Sequence, residues 1–163
     1  MIILNNGDLH RFLEPFDADI DVIAFALSNI NRYTGHVGQY SVAQHCVLVS
    51  EQLPNELKLS GLLHDATEAY IGDVSKPLKA LLPEYRKIEA WYHEQIDTLF
   101  DVVTEHPEIK EADLRMLITE ASAFGLPLDE FPDALPYNID FEPWPPEVAR
   151  LKFIECFHRY FDL

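Results

Sequence analysis

The sequence predicts an all-α single domain of about six or seven helices. Three observations carry that expectation. Apolar residues recur at three- and four-residue spacing along most of the chain, the period of a helix with one buried face. Serine, proline and glycine stand where such helices begin and end. Strand-like alternation is confined to the N-terminal arm.

From Met1 to Pro15 the chain alternates briefly at Ile2, Ile3 and Leu4, then turns at Asn6-Gly7, which reads as a short edge strand or an extended arm. Asp19 to Asn29 carries Ile20, Ile23, Ala24 and Leu27 at helical spacing. "NRYTGHVGQY" is broken by two glycines and forms a loop. Ser41 then opens a helix with Gln44 three residues on, a capping box, and that helix ends before Pro54. The next spans Asn55 to Ile71, with Gly72 just past its end. A short turn of helix, Leu78 to Leu82, meets Pro83. Glu84 to about Val103 turns Ile88, Trp91, Tyr92, Leu99 and Phe100 inward, and Pro107 begins a helix that stops at Gly125. Six prolines punctuate Leu126 to Pro146; so long a connection is either functional or laid across another surface. Glu147 to Leu163 closes the chain as an amphipathic helix. The whole of 1–163 is one domain, with a core of about 20–125, a proline-rich loop at 126–146 and a C-terminal helix at 147–163.

A formal net charge of −16 with twelve Lys and Arg excludes a polymeric nucleic acid or an anionic membrane as partner. A small anionic ligand remains compatible, provided cations or a metal are held locally in a pocket. No apolar run approaches the roughly 20 residues of a membrane span, and no secretory leader is recognisable. Cys46 and Cys156 stand singly on apolar helical faces and read as buried thiols. A reducing cytoplasm is the simplest setting.

Three helices each place polar residues on an apolar stripe. His45 lies three residues after Val42, three before Leu48 and four before Val49, as a core histidine or a ligand would. His64 and Glu68 are i and i+4, and Asp65 and Glu68 are i and i+3, so one helix face gathers all three. Leu62, Leu63, Ala66 and Ala69 bury the surroundings, and no Lys or Arg stands between Lys58 and Lys76 to pair with the acids. Unpaired acids on a buried helix are costly without a cation. Asp113 shares its stripe with Ile109, Met116, Leu117, Glu120 and Phe124; Lys110 or Arg115 could neutralise it, or a metal could. Two imidazoles and two carboxylates form a mixed nitrogen and oxygen set that suits a divalent first-row metal with open positions.

On "NRYTGH", "YSVAQHCVLVSE", "GLLHDATEAYIGDVSKPLK" and "IKEADLRMLITE", collinear from about Ala24 to Phe124, the chain resembles the HD-domain metal-dependent phosphohydrolases. Within them it is most similar to the small nucleotide phosphohydrolases typified by bacterial 5′-deoxyribonucleotidases. The resemblance implies an HD-type helical bundle and one divalent metal ion (Co²⁺, Mn²⁺, Mg²⁺ or Zn²⁺) held by His45, His64, Asp65 and Asp113. It implies proton transfer by Glu68, and an Asp73 that orients the attacking water or holds the sugar. Arg32 corresponds to the residue that contacts substrate phosphate. Tyr33 takes the place of an aromatic that excludes the ribose 2′-hydroxyl, where tryptophan is the family's residue. His36, Lys76 and Lys79 are further substrate-side candidates. The resemblance also implies a homo-oligomer, a dimer or larger.

The expected reaction is release of phosphate from deoxynucleoside 5′-monophosphates. Two alternatives stand beside it. One is removal of triphosphate from a deoxynucleoside triphosphate, as in the dATP triphosphohydrolases of phages; the other is a non-catalytic nucleotide-binding module that keeps the HD frame.

Overall fold

The computed structural model describes residues 1–163 as eight α-helices and one two-stranded antiparallel ribbon. The ribbon pairs β1 (Ile2–Ile3) with β2 (Leu9–His10) across the turn at Gly7, whose φ is 91°. His10 anchors it: the ring is buried, its Nε2 lies 2.6 Å from the Tyr92 hydroxyl, and Phe16 and Tyr70 pack against it.

The helices are α1 (Ile20–Ser28), α2 (Val42–Glu51), α3 (Asn55–Leu62), α4 (Glu68–Ile71), α5 (Lys76–Lys79), α6 (Pro83–Phe100), α7 (Pro107–Ala123) and α8 (Pro146–Phe161). Asp19 caps α1 by accepting from Asp21 N, and Ser41 caps α2 by accepting from Gln44 N at 3.0 Å. The reciprocal half of the capping box is not made. Gln44 instead donates to Glu142 O at 2.9 Å and accepts from Trp144 N at 2.7 Å, tying the proline-rich segment to α2.

Eight helices rather than six or seven is a correction with a local cause. The helix expected from Asn55 to Ile71 breaks into α3 and α4. Gly61 O, which a continuous helix would offer to Asp65 N–H, accepts instead from His64 Nδ1 at 2.7 Å. The backbone then runs through three-residue turns, Ala66 N to Leu63 O and Glu68 N to Asp65 O, both at 3.0 Å. A side chain has competed with the helical ladder for its own acceptor and won. The next short helix is displaced too, lying at Lys76–Lys79 rather than Leu78 to Leu82.

The main core joins α1, α2, α3, α6 and α8 through Ile23, Leu27, Val47, Leu62, Ile96 and Phe153. A second cluster, Leu48, Val49, Leu53, Ile109, Ala112 and Met116, fills the space between α2 and α7. Tyr137, Ile139 and Phe141 of the proline-rich segment cover it, so that segment is a strap across α7. Arg115 fastens it, its guanidinium 4.0 Å over the Tyr137 ring and its Nε donating to Leu135 O at 2.9 Å. Wrapped on both sides, α2 is buried from Val42 to Ser50 without exception. Cys46 and Cys156 are free and buried, and no helix is long and apolar enough to cross a membrane.

Gly72 ends α4 at φ 79°, ψ 171°, a conformation open essentially to glycine alone. A Cβ there would meet nothing within 4 Å, so the cost of a side chain is all backbone. Gly72→Ala is expected to lower stability by about 1–3 kcal/mol, read as a lower urea midpoint at unchanged slope.

Candidate metal centre

Burial of the whole of α2 puts the imidazole of His45 inside the molecule, fully shielded from solvent. Its Nδ1 bonds Glu120 Oε1, which leaves Nε2 as the ring's lone-pair nitrogen. His64 reaches the same arrangement by another route, since its Nδ1–H is spent on Gly61 O. The bond that ends α3 therefore also sets the tautomer of His64.

Both Nε2 atoms are buried, and neither makes a hydrogen bond. His45 Nε2 lies 3.0 Å from Asp113 Oδ1 and 3.7 Å from Asp65 Oδ2. His64 Nε2 lies 3.3 Å from Asp65 Oδ2 and 3.7 Å from Asp113 Oδ1. These approaches lack hydrogen-bond alignment. Donors bound to a metal at about 2.1 Å stand about 3.0 Å apart at a right angle and about 3.4 Å apart at the tetrahedral angle. The separations of 3.0 and 3.3 Å fall in that range, and the two of 3.7 Å lie just beyond it. His45, His64 and Asp65 form a group that could hold a metal ion, their ligand atoms within 4.8 Å of one another, and Asp113 Oδ1 lies beside that group, 3.0 Å from His45 Nε2.

The electrostatics call for a cation. Burial opposes a charged imidazole at His45 and His64, yet the surrounding carboxylates raise both above the ordinary histidine value, His64 strongly. Burial likewise opposes ionisation of Asp113, but the two imidazoles hold its carboxyl well below the usual range. The site favours positive charge, as protons or as a metal that displaces them. The imidazoles form the floor, while Asp65 and Asp113 are about one-fifth exposed (23% and 21%) and open the nest to solvent.

Glu68 opens α4 beside this nest. It is buried, its Oε2 has no partner, and burial, then the charges of Asp65 and Asp73, push its carboxyl well above the usual range. Asp73, just beyond Gly72, is raised by burial as well. His64, Asp65 and Glu68 are neighbours, then, but through turns and not through one continuous helical face.

The loop before α2 supplies the cationic side. Arg32 N donates to Tyr40 O at 2.8 Å, and Arg32 Nε donates to Glu120 Oε2 at 2.9 Å. Tyr33, Thr34 and Gly35 follow in left-handed conformation, with φ of 55°, 53° and 80°. His36 is exposed and makes no side-chain hydrogen bond. Lys76 extends from the rim to 3.4 Å from Asp113 Oδ2. Lys79 is drawn away from the nest: it pairs with Glu89 and lies over the Tyr85 ring.

Glu120 was not anticipated as a site residue. It is fully buried and accepts from Arg32, Tyr33 and Tyr40 besides its bond to His45. Its signal in the sequence is an acid on the apolar stripe of α7, seven residues after Asp113. Two surface pockets of about 310 and 410 Å³ lie elsewhere, sharing Asn55, Tyr160 and Leu163, and contain none of these residues.

No family model matches the chain. It is 43% identical over 126 residues to the uncharacterized protein YfdR of Escherichia coli (strain K12), a match that spans 72% of this chain and 68% of that protein. It is 36% identical over 78 residues to an uncharacterized protein of Rhodobacter capsulatus, spanning 42% of this chain and 40% of that one.

Proposed function

We propose that this chain, which belongs to the same family as the uncharacterized Escherichia coli protein YfdR, is a metal-dependent phosphohydrolase that releases phosphate from deoxynucleoside 5′-monophosphates. One observation carries the reading: two hydrogen-bond-free Nε2 atoms with carboxylate oxygens 3.0 and 3.3 Å away, beside the buried, unpartnered carboxyl of Glu68. The resemblance to HD-domain phosphohydrolases at the same residues supports it.

In this reading His45, His64, Asp65 and Asp113 hold one divalent ion, Co²⁺, Mn²⁺, Mg²⁺ or Zn²⁺. Such an ion, when bound, brings the pKa of a water toward neutrality and offsets phosphate charge. The chain's own groups do the rest. Arg32 spends Nε on Glu120, which leaves its two terminal Nη groups as a fork for phosphate oxygens. Glu68, whose carboxyl burial pushes well above the usual range, delivers its proton to the leaving sugar oxygen. Asp73 orients the attacking water or a sugar hydroxyl, and Lys76 adds charge at the rim.

The supply of cations favours the monophosphate. Arg32 and Lys76 face the nest, whereas Lys79 is committed to Glu89, and a triphosphate tail among these acids needs more positive charge. A panel of deoxynucleoside mono- and triphosphates with Co²⁺, Mn²⁺ or Mg²⁺ tests the assignment by its product. Inorganic phosphate from the monophosphates is the expected result; triphosphate as product assigns the chain to the triphosphohydrolase reading. No release from any nucleotide with any metal leaves the non-catalytic nucleotide-binding module.

A further inference from the structure

We propose that Glu120 is a positioning residue that holds both halves of the site at once, fixing His45 for the metal through Oε1 and the Arg32–Tyr33 loop for phosphate through Oε2. The inference rests on the proposed phosphohydrolase reading, because that reading gives Arg32 its ligand.

The division between the two oxygens is complete. Oε1 bonds His45 Nδ1 and accepts from the Tyr40 hydroxyl at 3.0 Å. Oε2 accepts from Arg32 Nε at 2.9 Å and from the Tyr33 hydroxyl at 3.3 Å. Four donors fill the roughly four lone-pair positions of an ionised carboxylate. They come from positions 75 to 88 residues earlier in the chain, so no local requirement of α7 accounts for them.

Stability gives no reason to bury this charge, since a buried ion pair is often no better than apolar packing of the same volume. Geometry gives one. A carboxylate on Nδ1 keeps the proton there and leaves Nε2 as the lone pair, the arrangement that orients metal-binding histidines and strengthens them as ligands. The other oxygen restrains a loop the backbone resists, for a bulky residue such as Tyr33 is rarely left-handed. Tyr33 is tied down by its one hydroxyl proton, shared between Glu120 Oε2 and Leu117 O. Asp113 and Glu120 stand two turns apart on α7, so one rigid helix presents a metal ligand and the group that aligns a second ligand and the phosphate fork.

The test uses the full chain and two probes, Co²⁺ followed by its visible absorption and inorganic phosphate titrated into the Co²⁺-loaded protein. In Glu120→Gln an amide NH₂ replaces one acceptor, so neither side keeps its charged partner. Co²⁺ affinity is expected to fall about 10- to 100-fold, the usual cost of losing such a support. Phosphate affinity is expected to fall as far as in Arg32→Ala, with no further loss in the double variant. Arg32→Ala itself should leave Co²⁺ affinity unchanged. The two oxygens can also be addressed singly: Tyr40→Phe should weaken Co²⁺ about fivefold and spare phosphate, and Tyr33→Phe should do the reverse.

If Glu120→Gln does not fold, judged by its circular dichroism melt, the two tyrosine variants carry the test. A folded Glu120→Gln protein that binds both probes like wild type overturns the proposal, as does an effect confined to one probe or a pair of tyrosine variants that move neither. Because the readouts are binding, failure to hydrolyse nucleotides would sink the enzymatic reading and leave this test intact.

Discussion

Asp65→Ala is expected to abolish divalent-metal binding and to lower phosphate release from a deoxynucleoside monophosphate by about 10³-fold or more. A metal contributes several kcal/mol of charge stabilisation at a phosphoryl centre, and each 1.36 kcal/mol is about tenfold in rate. Asp65 Oδ2 stands between the two imidazoles, as Asp113 Oδ1 does, 3.3 Å from His64 Nε2 and 3.7 Å from His45 Nε2. Without it the donors reduce to two nitrogens and Asp113, whose Oδ2 already has Lys76 at 3.4 Å. The substitution makes little cavity, because the Asp65 side chain is 23% exposed. The metal-free variant should keep a cooperative melt, as metal-free wild type does. That separates loss of a ligand from loss of the fold. Titration with Co²⁺ and a phosphate-release assay on the same preparation check it; an Asp65→Ala protein that binds Co²⁺ with wild-type affinity would remove Asp65 from the ligand set.

What the sequence discloses about this molecule follows the range of the interactions involved. The starts of α1, α2 and α7 and the ends of α4 and α7 are legible because Asp19, Ser41, Pro107, Gly72 and Gly125 act on backbone within a few residues. The break between α3 and α4 is not, since Leu62, Leu63, Ala66 and Ala69 suit a continuous helix as well as a series of tight turns. What decides is the capture of Gly61 O by His64, and periodicity has no record of it. His45, His64, Asp65 and Asp113 stand out as polar residues among apolar ones, which needs no partner to be seen. Glu120 stands out in the same way but gains its meaning only from Arg32, Tyr33, Tyr40 and His45, all on chain segments folded against α7 from far away. Gln44 teaches the same lesson: its spacing from Ser41 announces a capping box, yet its amide serves a strap 98 to 100 residues distant. Lys79 differs again, for its spacing from Gly72 suggests a phosphate contact, and only the turn into α6 shows that Glu89 is its partner.

Glu68→Gln is expected to keep the fold and the metal while lowering kcat for a deoxynucleoside monophosphate by about 10²- to 10⁴-fold, the range of a lost proton-transfer group. Oε2 of Glu68 is buried without a partner, and burial, then Asp65 and Asp73, raise its carboxyl. A carboxyl kept neutral has nearly the shape and polarity of an amide, so glutamine fits without a cavity and without a new buried charge. Stability should hold or rise, and Co²⁺ affinity should match wild type. The amide can still donate a hydrogen bond to the leaving oxygen, but it cannot surrender the proton. The loss should therefore fall equally on kcat and kcat/KM, as for an interaction realised only in the transition state. A second substrate identifies which proton is at stake. The leaving oxygen of p-nitrophenyl phosphate departs as a stable anion and needs no acid, so Glu68→Gln should slow its hydrolysis far less than that of a nucleotide. Equal losses on both substrates would move Glu68 from the leaving group to the attacking water, as the base that accepts its proton. Undiminished turnover of both would remove it from the chemistry.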